Sequence, residues 1–243
     1  MPMLTLLAGA AGIGAALGLL GGGGTVLTVP LLHALLGVDT THAVAMSLPV
    51  VAVAAAAGAF SAWRRGALAI APTLVLAAAT SSGAFLGALA GRQLSSATQS
   101  VLLAATLVAA AAALWRPLVR PGDARRTPWL LAAAGFGGGG VTGVVGVGGG
   151  FLIVPALVML GGYPLQRAVP ASLFVIALSA SAGALGYAGH VDVPWGTVAV
   201  IAAAAVLGVI AGGRVGARLP AAPLQRVFAL FLLVNAAYML ATH

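Results

Sequence analysis

Two glycine runs carry the chemistry available to this chain. Gly21 to Gly24, and Gly146-Val-Gly-Gly-Gly150, each interrupt apolar sequence and are each followed by an apolar arm containing Val-Pro, Val29-Pro30 and Val154-Pro155. A glycine run leaves backbone N–H and C=O groups uncovered, and the first amides of a helix starting there have no intrahelical partner. The helix dipole makes that end partly positive. Small hydroxyls lie close by in sequence: Thr25, Thr28, Thr142, Ser47 and Ser172. Backbone amides plus hydroxyl donors suit a bound oxyanion. The substrate-binding candidates are therefore Gly22, Gly23, Gly24 and Thr25 at the first run, and Gly148, Gly149 and Gly150 at the second. Ser47 and Ser172 complete the set, with Thr28 and Thr142 as accessory candidates. The structural alternatives are that the glycines serve close helix crossing and that the hydroxyls cap helices or bond back to the preceding turn.

Few ionisable groups compete for this role. All 11 basic residues are Arg, and the acids are Asp39, Asp123 and Asp192. His42, Arg167 and Arg214 are further accessory candidates, although each also suits a place at the membrane interface. The acids form no ring for a cation, and the histidines have no metal-ligand spacing. Cysteine is absent. No cofactor or metal is expected. The second glycine run lacks the preceding strand and P-loop Lys of a nucleotide site. There is no HExxH, serine elbow or suitably placed carboxylate pair, so enzymatic function is not expected.

The two runs belong to an internal repeat. Residues 18–48 align without gaps on 143–173 at an offset of 125, with 14 of 31 positions identical, among them Gly37/Gly162, Ala43/Ala168, Val44/Val169, Ser47/Ser172 and Leu48/Leu173. His42 and Arg167 are also equivalent. A second correspondence links Gly83-x-x-x-Gly87-x-x-x-Gly91 to Gly208-x-x-x-Gly212-x-x-x-Gly216. Four-residue spacing puts these glycines on one helix face, where a second helix can approach closely. Glycine-broken apolar segments at matching positions of two halves are a transporter signature.

The elements that hold these residues must lie in a membrane. The 243 residues are 61% hydrophobic and only 6% charged, with a mean hydropathy of +1.13. A soluble domain carries roughly a quarter charged residues. Apolar segments long enough to span lipid fall near 42–62, 67–90, 97–115, 167–188, 194–216 and 223–241, and longer glycine-broken segments near 4–36 and 129–162. The Pro- and Arg-rich stretch 116–128 separates a first repeat, 1–115, from a second, 129–243. Trp63, Trp115, Trp129 and Trp195 stand at segment ends, where interfacial indoles belong. The formal charge of +8 matches arginines meeting anionic lipid heads, and no basic run interleaved with aromatics argues for nucleic acid. No cleaved signal peptide is read at the N-terminus.

Two arrangements of the broken segments are open. If each crosses as a kinked helix, the arginines divide six against five between the two sides. If each is a re-entrant hairpin, ten lie on one side and only Arg92 on the other. The positive-inside rule favours the hairpin arrangement and makes the arginine-rich side cytoplasmic. The termini and the loops around Asp39 and His190 then face outward. The expected fold is an all-α polytopic membrane protein of two homologous halves, arranged as inverted repeats. Each half is a glycine-broken re-entrant helical hairpin followed by three transmembrane helices.

The glycine runs leading to Val-Pro, each followed by a glycine-bounded loop and Ala-Val-x-x-Ser-Leu, resemble the sulfite exporter TauE/SafE family. Here they read Gly21–Pro30 with Ala43–Leu48, and Gly146–Pro155 with Ala168–Leu173. The resemblance covers nearly the whole chain. It implies a multi-pass permease of a bacterial inner membrane, carrying sulfur-containing anions such as sulfite, sulfonates or sulfoacetate; alternating access around the two glycine-broken segments is the mechanism those segments lead us to expect. The partners implied are a small anion and membrane lipid. A passive anion channel and a non-transporting membrane assembly protein are the rival readings. Oligomeric state is left open, a homodimer being one option.

Overall fold

The computed structural model describes residues 2–22, 24–68, 73–115, 128–145 and 150–216, with Leu230, Leu233, Val234 and Ala237. The described chain is helical and contains no strand. In order, the helices are α1 (Pro2–Leu20), α2 (Thr25–Leu36), α3 (Thr40–Arg64), α4 (Leu74–Gly91), α5 (Ser96–Trp115), α6 (Pro128–Val145), α7 (Gly150–Met159), α8 (Leu165–Tyr187) and α9 (Trp195–Gly216). Ala and Leu dominate these segments, and in lipid only a helix or a closed barrel satisfies every backbone group. Among the described residues, four helices are long and apolar enough to cross a membrane: Thr40–Arg64, Leu74–Gly91, Gln166–Tyr187 and Trp195–Gly216. The stretch 116–127 and most of 223–241 lie outside the described residues, as do Gly23, Gly148 and Gly149.

Helices α3 and α8 form the centre. The apolar stretch of α3 is 67% buried, against 39% for α9. Helices α3 and α8 occupy matching positions in the two halves and run antiparallel against each other. Gly58 faces Leu173, and Gly183 faces Leu48, one contact becoming the other on shifting each residue by 125. Helices α4 and α9 flank this pair. Their outward residues, among them Val75, Leu86 and Leu207, are exposed apolar side chains suited to lipid.

The glycine stripes join the halves to each other. Helix α9 packs along α1, and α4 along α6. Gly14 and Gly18 lie against the carbonyls of Ala205 and Val209, while Gly208 and Gly212 lie against those of Ala11 and Ala15. In the other pair, Gly139 and Gly143 meet the carbonyls of Thr80 and Ala84, and Gly83 and Gly87 meet those of Phe136 and Gly140. Every contact in one pair is a contact in the other with residue numbers shifted by 125. A side chain at any of these eight glycines would overlap a backbone carbonyl. Numbers rise together along both pairs, so each pair is parallel.

Helix α2 folds back along α1. Gly24 lies against Ile13 and Leu17, while Leu31 lies against Gly9 near the other end. The turn that follows has the same shape in both halves. Gly37 and Gly162 are left-handed, at φ 64° and 65°, and Asp39 and Pro164 are extended before α3 and α8. Nothing crowds Gly37, so its glycine is required by backbone conformation rather than by space. In the first half, the Gly37 N–H donates to the His33 carbonyl at 3.1 Å, and His33 Nδ1 pairs with the Val38 carbonyl at 2.7 Å. Pro30 lies buried within α2 without ending it.

Candidate functional site

Gly21, Gly22 and Gly24 lie at the tip between α1 and α2. Gly21 ends α1 in the left-handed region, at φ 70°, with its N–H on the Leu17 carbonyl at 2.8 Å. Thr25 then opens α2 with its hydroxyl on the Gly22 carbonyl at 2.7 Å. Two tight amide bonds complete the turn, Thr25 N–H to Gly22 O at 3.3 Å and Leu27 N–H to Gly24 O at 3.2 Å. At Gly24 a Cβ would collide with the α1 backbone, lying 2.6 Å from the Leu17 nitrogen. The glycine requirement there comes from close packing of the two arms.

Ser172 reaches this tip from the other half of the chain. Its hydroxyl contacts both the Gly21 carbonyl and, at 2.7 Å, the Val169 carbonyl one turn back in α8. A Cβ at Gly21 would lie 2.6 Å from Ser172 Oγ and 2.9 Å from Val169 Cα. Gly21, Gly22, Thr25 and Ser172 are thus one buried cluster at a helix N-terminus. The dipole of α2 gives that end a partial positive charge.

The other candidates are distributed more widely. Ser47, the repeat partner of Ser172, is fully buried in α3 and donates to the Val44 carbonyl at 2.8 Å. Thr142 donates to the Gly139 carbonyl at 2.9 Å in the last turn of α6. Gly150 is the first residue of α7. In the state described, the hydroxyls of Thr25, Ser47, Thr142 and Ser172 therefore all meet carbonyls, the back-bonding alternative. Thr28 is the exception, fully buried and without a hydrogen-bond partner. His42, Arg167 and Arg214 are exposed in terminal turns of α3, α8 and α9. His42 is paired with Asp39 through Nδ1. An open pocket of about 530 Å³ lies beside it, lined by His42, Asp192 and Thr197 with Leu36, Val38, Met46, Val193 and Pro194.

Sequence reasoning missed a polar cluster beside the end of α6, which leads to the second glycine run. The Gln99 side-chain amide donates to the Gly91 carbonyl at 2.7 Å and to Tyr187 Oη at 3.1 Å. Its Oε1 accepts from Thr41 at 3.0 Å, and Tyr187 Oη donates to the Val144 carbonyl at 3.2 Å. Thr40 and Ser100 are bonded to each other, 2.9 Å apart. The one available signal was an uncharged amide at the head of an otherwise apolar segment. Gly21 was also passed over as a ligand candidate, although it is identical to its repeat partner Gly146 where Gly22 faces Val147.

Long apolar helices with lipid-suited outer faces, closed by glycine contacts around a buried polar tip, define an all-α polytopic membrane protein. The profile of the Sulfite exporter TauE/SafE family matches residues 6–239, and the chain belongs to that family of membrane transporters. Two probable membrane transporter proteins of Xylella fastidiosa are similar over most of its length. One, from strain 9a5c, is 32% identical over 94% of this chain and 91% of its own; the other, from strain Temecula1, is 33% identical over the same shares. The probable membrane transporter protein YunE of Bacillus subtilis is 39% identical over 35% of this chain and 30% of its own. No solved structure matches the chain.

Proposed function

We propose that this protein is a secondary transporter of small sulfur-containing oxyanions, of the sulfite, sulfonate or sulfoacetate class. It works by alternating access around two re-entrant hairpins in inverted repeats. The observation that carries the reading is Ser172 of one half hydrogen-bonded to Gly21 at the broken helix of the other. A tip whose lining comes from both halves changes when the halves move relative to each other, as alternating access requires. The reciprocal contacts at an offset of 125, the antiparallel α3 and α8, and the fold-back of α2 on α1 support the arrangement. The anion is held at the tips by amides and hydroxyls, which exchange their carbonyl partners for the anion on binding. A fully ionised counter-charge in the bilayer would cost more than these fractional charges.

Uptake or efflux of sulfite in proteoliposomes tests this reading. Flux should saturate with sulfite concentration and respond to an imposed ion gradient. Gly23→Val should abolish flux. Unsaturable flux, indifferent to any gradient, would instead identify a passive channel.

A further inference from the structure

Thr28 departs from a pattern shared by five other buried hydroxyls. Thr25, Ser47, Thr80, Thr142 and Ser172 all meet carbonyls. Among the fully buried polar residues described, Thr28 alone has a side-chain oxygen with no partner. Ser81 Oγ shares this state, but on a half-buried residue. The usual outlet for a helical threonine is the carbonyl one turn back. For Thr28 the carbonyls one turn back are those of Gly24 and Thr25, each with a second lone pair to offer, and Thr28 Oγ1 bonds to neither. An unmatched hydroxyl in an apolar interior is costly, and its persistence calls for a partner in another state of the protein.

Its direction is set by helix geometry. Side chains lean toward the N-terminus of their helix and cover the preceding turn. Thr28 lies one turn beyond Thr25 on the same face, so its side chain leans back over the first turn of α2. The other half offers no equivalent, because the residue 125 positions on is Ile153, an apolar side chain that is also buried. We infer that Thr28 Oγ1 donates a hydrogen bond to an oxygen of an oxyanion bound at the N-terminus of α2. This makes the first tip the orienting, more polar half of the site. The inference rests on the proposed transport function and adds a specificity-determining residue to it.

The test uses the full-length purified protein in detergent, with sodium sulfite as probe, and compares wild type, Thr28→Val and Thr28→Ser. Valine keeps the shape and removes the hydroxyl; serine keeps the hydroxyl. Thr28→Val should melt at or above the wild-type temperature without sulfite, yet bind sulfite about tenfold more weakly, as expected for loss of a charge-assisted hydrogen bond. Thr28→Ser should bind within about twofold of wild type, a shift of only a few tenths of a kcal/mol. Unchanged sulfite affinity in Thr28→Val, with wild type binding normally, overturns the inference and leaves the transport reading intact. Equal weakening in both variants with lowered melting temperatures also overturns it, assigning Thr28 to packing. A wild-type protein that neither binds nor carries sulfite or any other sulfur oxyanion removes the proposed function itself.

Discussion

The contact between Gly21 and Ser172 can be tested by a double-mutant cycle. Gly21→Ala forces a side chain into the left-handed region, at a cost of about 1–2 kcal/mol. It also places a Cβ 2.6 Å from Ser172 Oγ and 2.9 Å from Val169 Cα. The backbone atom cannot rotate away, so overpacking adds about 1–3 kcal/mol. Ser172→Ala alone loses a hydrogen bond to the Gly21 carbonyl, worth about 1 kcal/mol. In the Gly21→Ala background the serine is already displaced, and its removal relieves one of the two clashes. Ser172→Ala should then cost close to nothing, giving a coupling of about 1 kcal/mol between the sites. The assay is thermal or denaturant unfolding of the purified protein, with sulfite flux measured on the same four variants. Effects that add to within about 0.3 kcal/mol would show that the two residues do not touch, and the composite tip would be wrong.

Gly87→Leu and Gly212→Leu should both abolish folded yield, because each side chain would overlap a carbonyl of the facing helix, Gly140 or Ala15; size-exclusion profiles after membrane extraction report this. Gly137→Ala is the matching control. Nothing lies within 4 Å of a Cβ there, and the substitution should be neutral or stabilise by about 0.5–1 kcal/mol. Gln99→Leu should lower stability by about 2–3 kcal/mol, since it leaves the buried Gly91 carbonyl and the Thr41 hydroxyl without the side-chain partner each has in Gln99; unfolding of the purified variant measures the loss. Because the native chain has no cysteine, single cysteines labelled with an impermeant maleimide map its orientation. Labelling from outside is expected near Asp39, near His190 and at both termini, but not in 116–128. The reverse pattern would invert the orientation, and termini on opposite sides would defeat the paired-hairpin arrangement.

Several features were legible in the residues alone. Membrane residence followed from composition, because a chain with 6% charged residues cannot cover a soluble surface. The repeat followed from ungapped identity, and the contact faces of α4 and α9 from glycines spaced by four. Which helix would fill each face was not legible. Lipid is as apolar as leucine, so hydrophobicity does not distinguish one partner helix from another. Only the packed structure sets α9 against α1 and α4 against α6, each stripe closing on the other half of the chain. The same limit applies to the site. Sequence placed Ser172 near a broken helix of its own half, whereas folding sets it against Gly21, 151 residues away. Gln99 and Tyr187, 88 residues apart, are likewise joined only by the convergence of α5 and α8. Hydrogen bonds of this kind depend on positions fixed by backbone packing to within a few tenths of an ångström, and residue spacing along the chain carries no record of them.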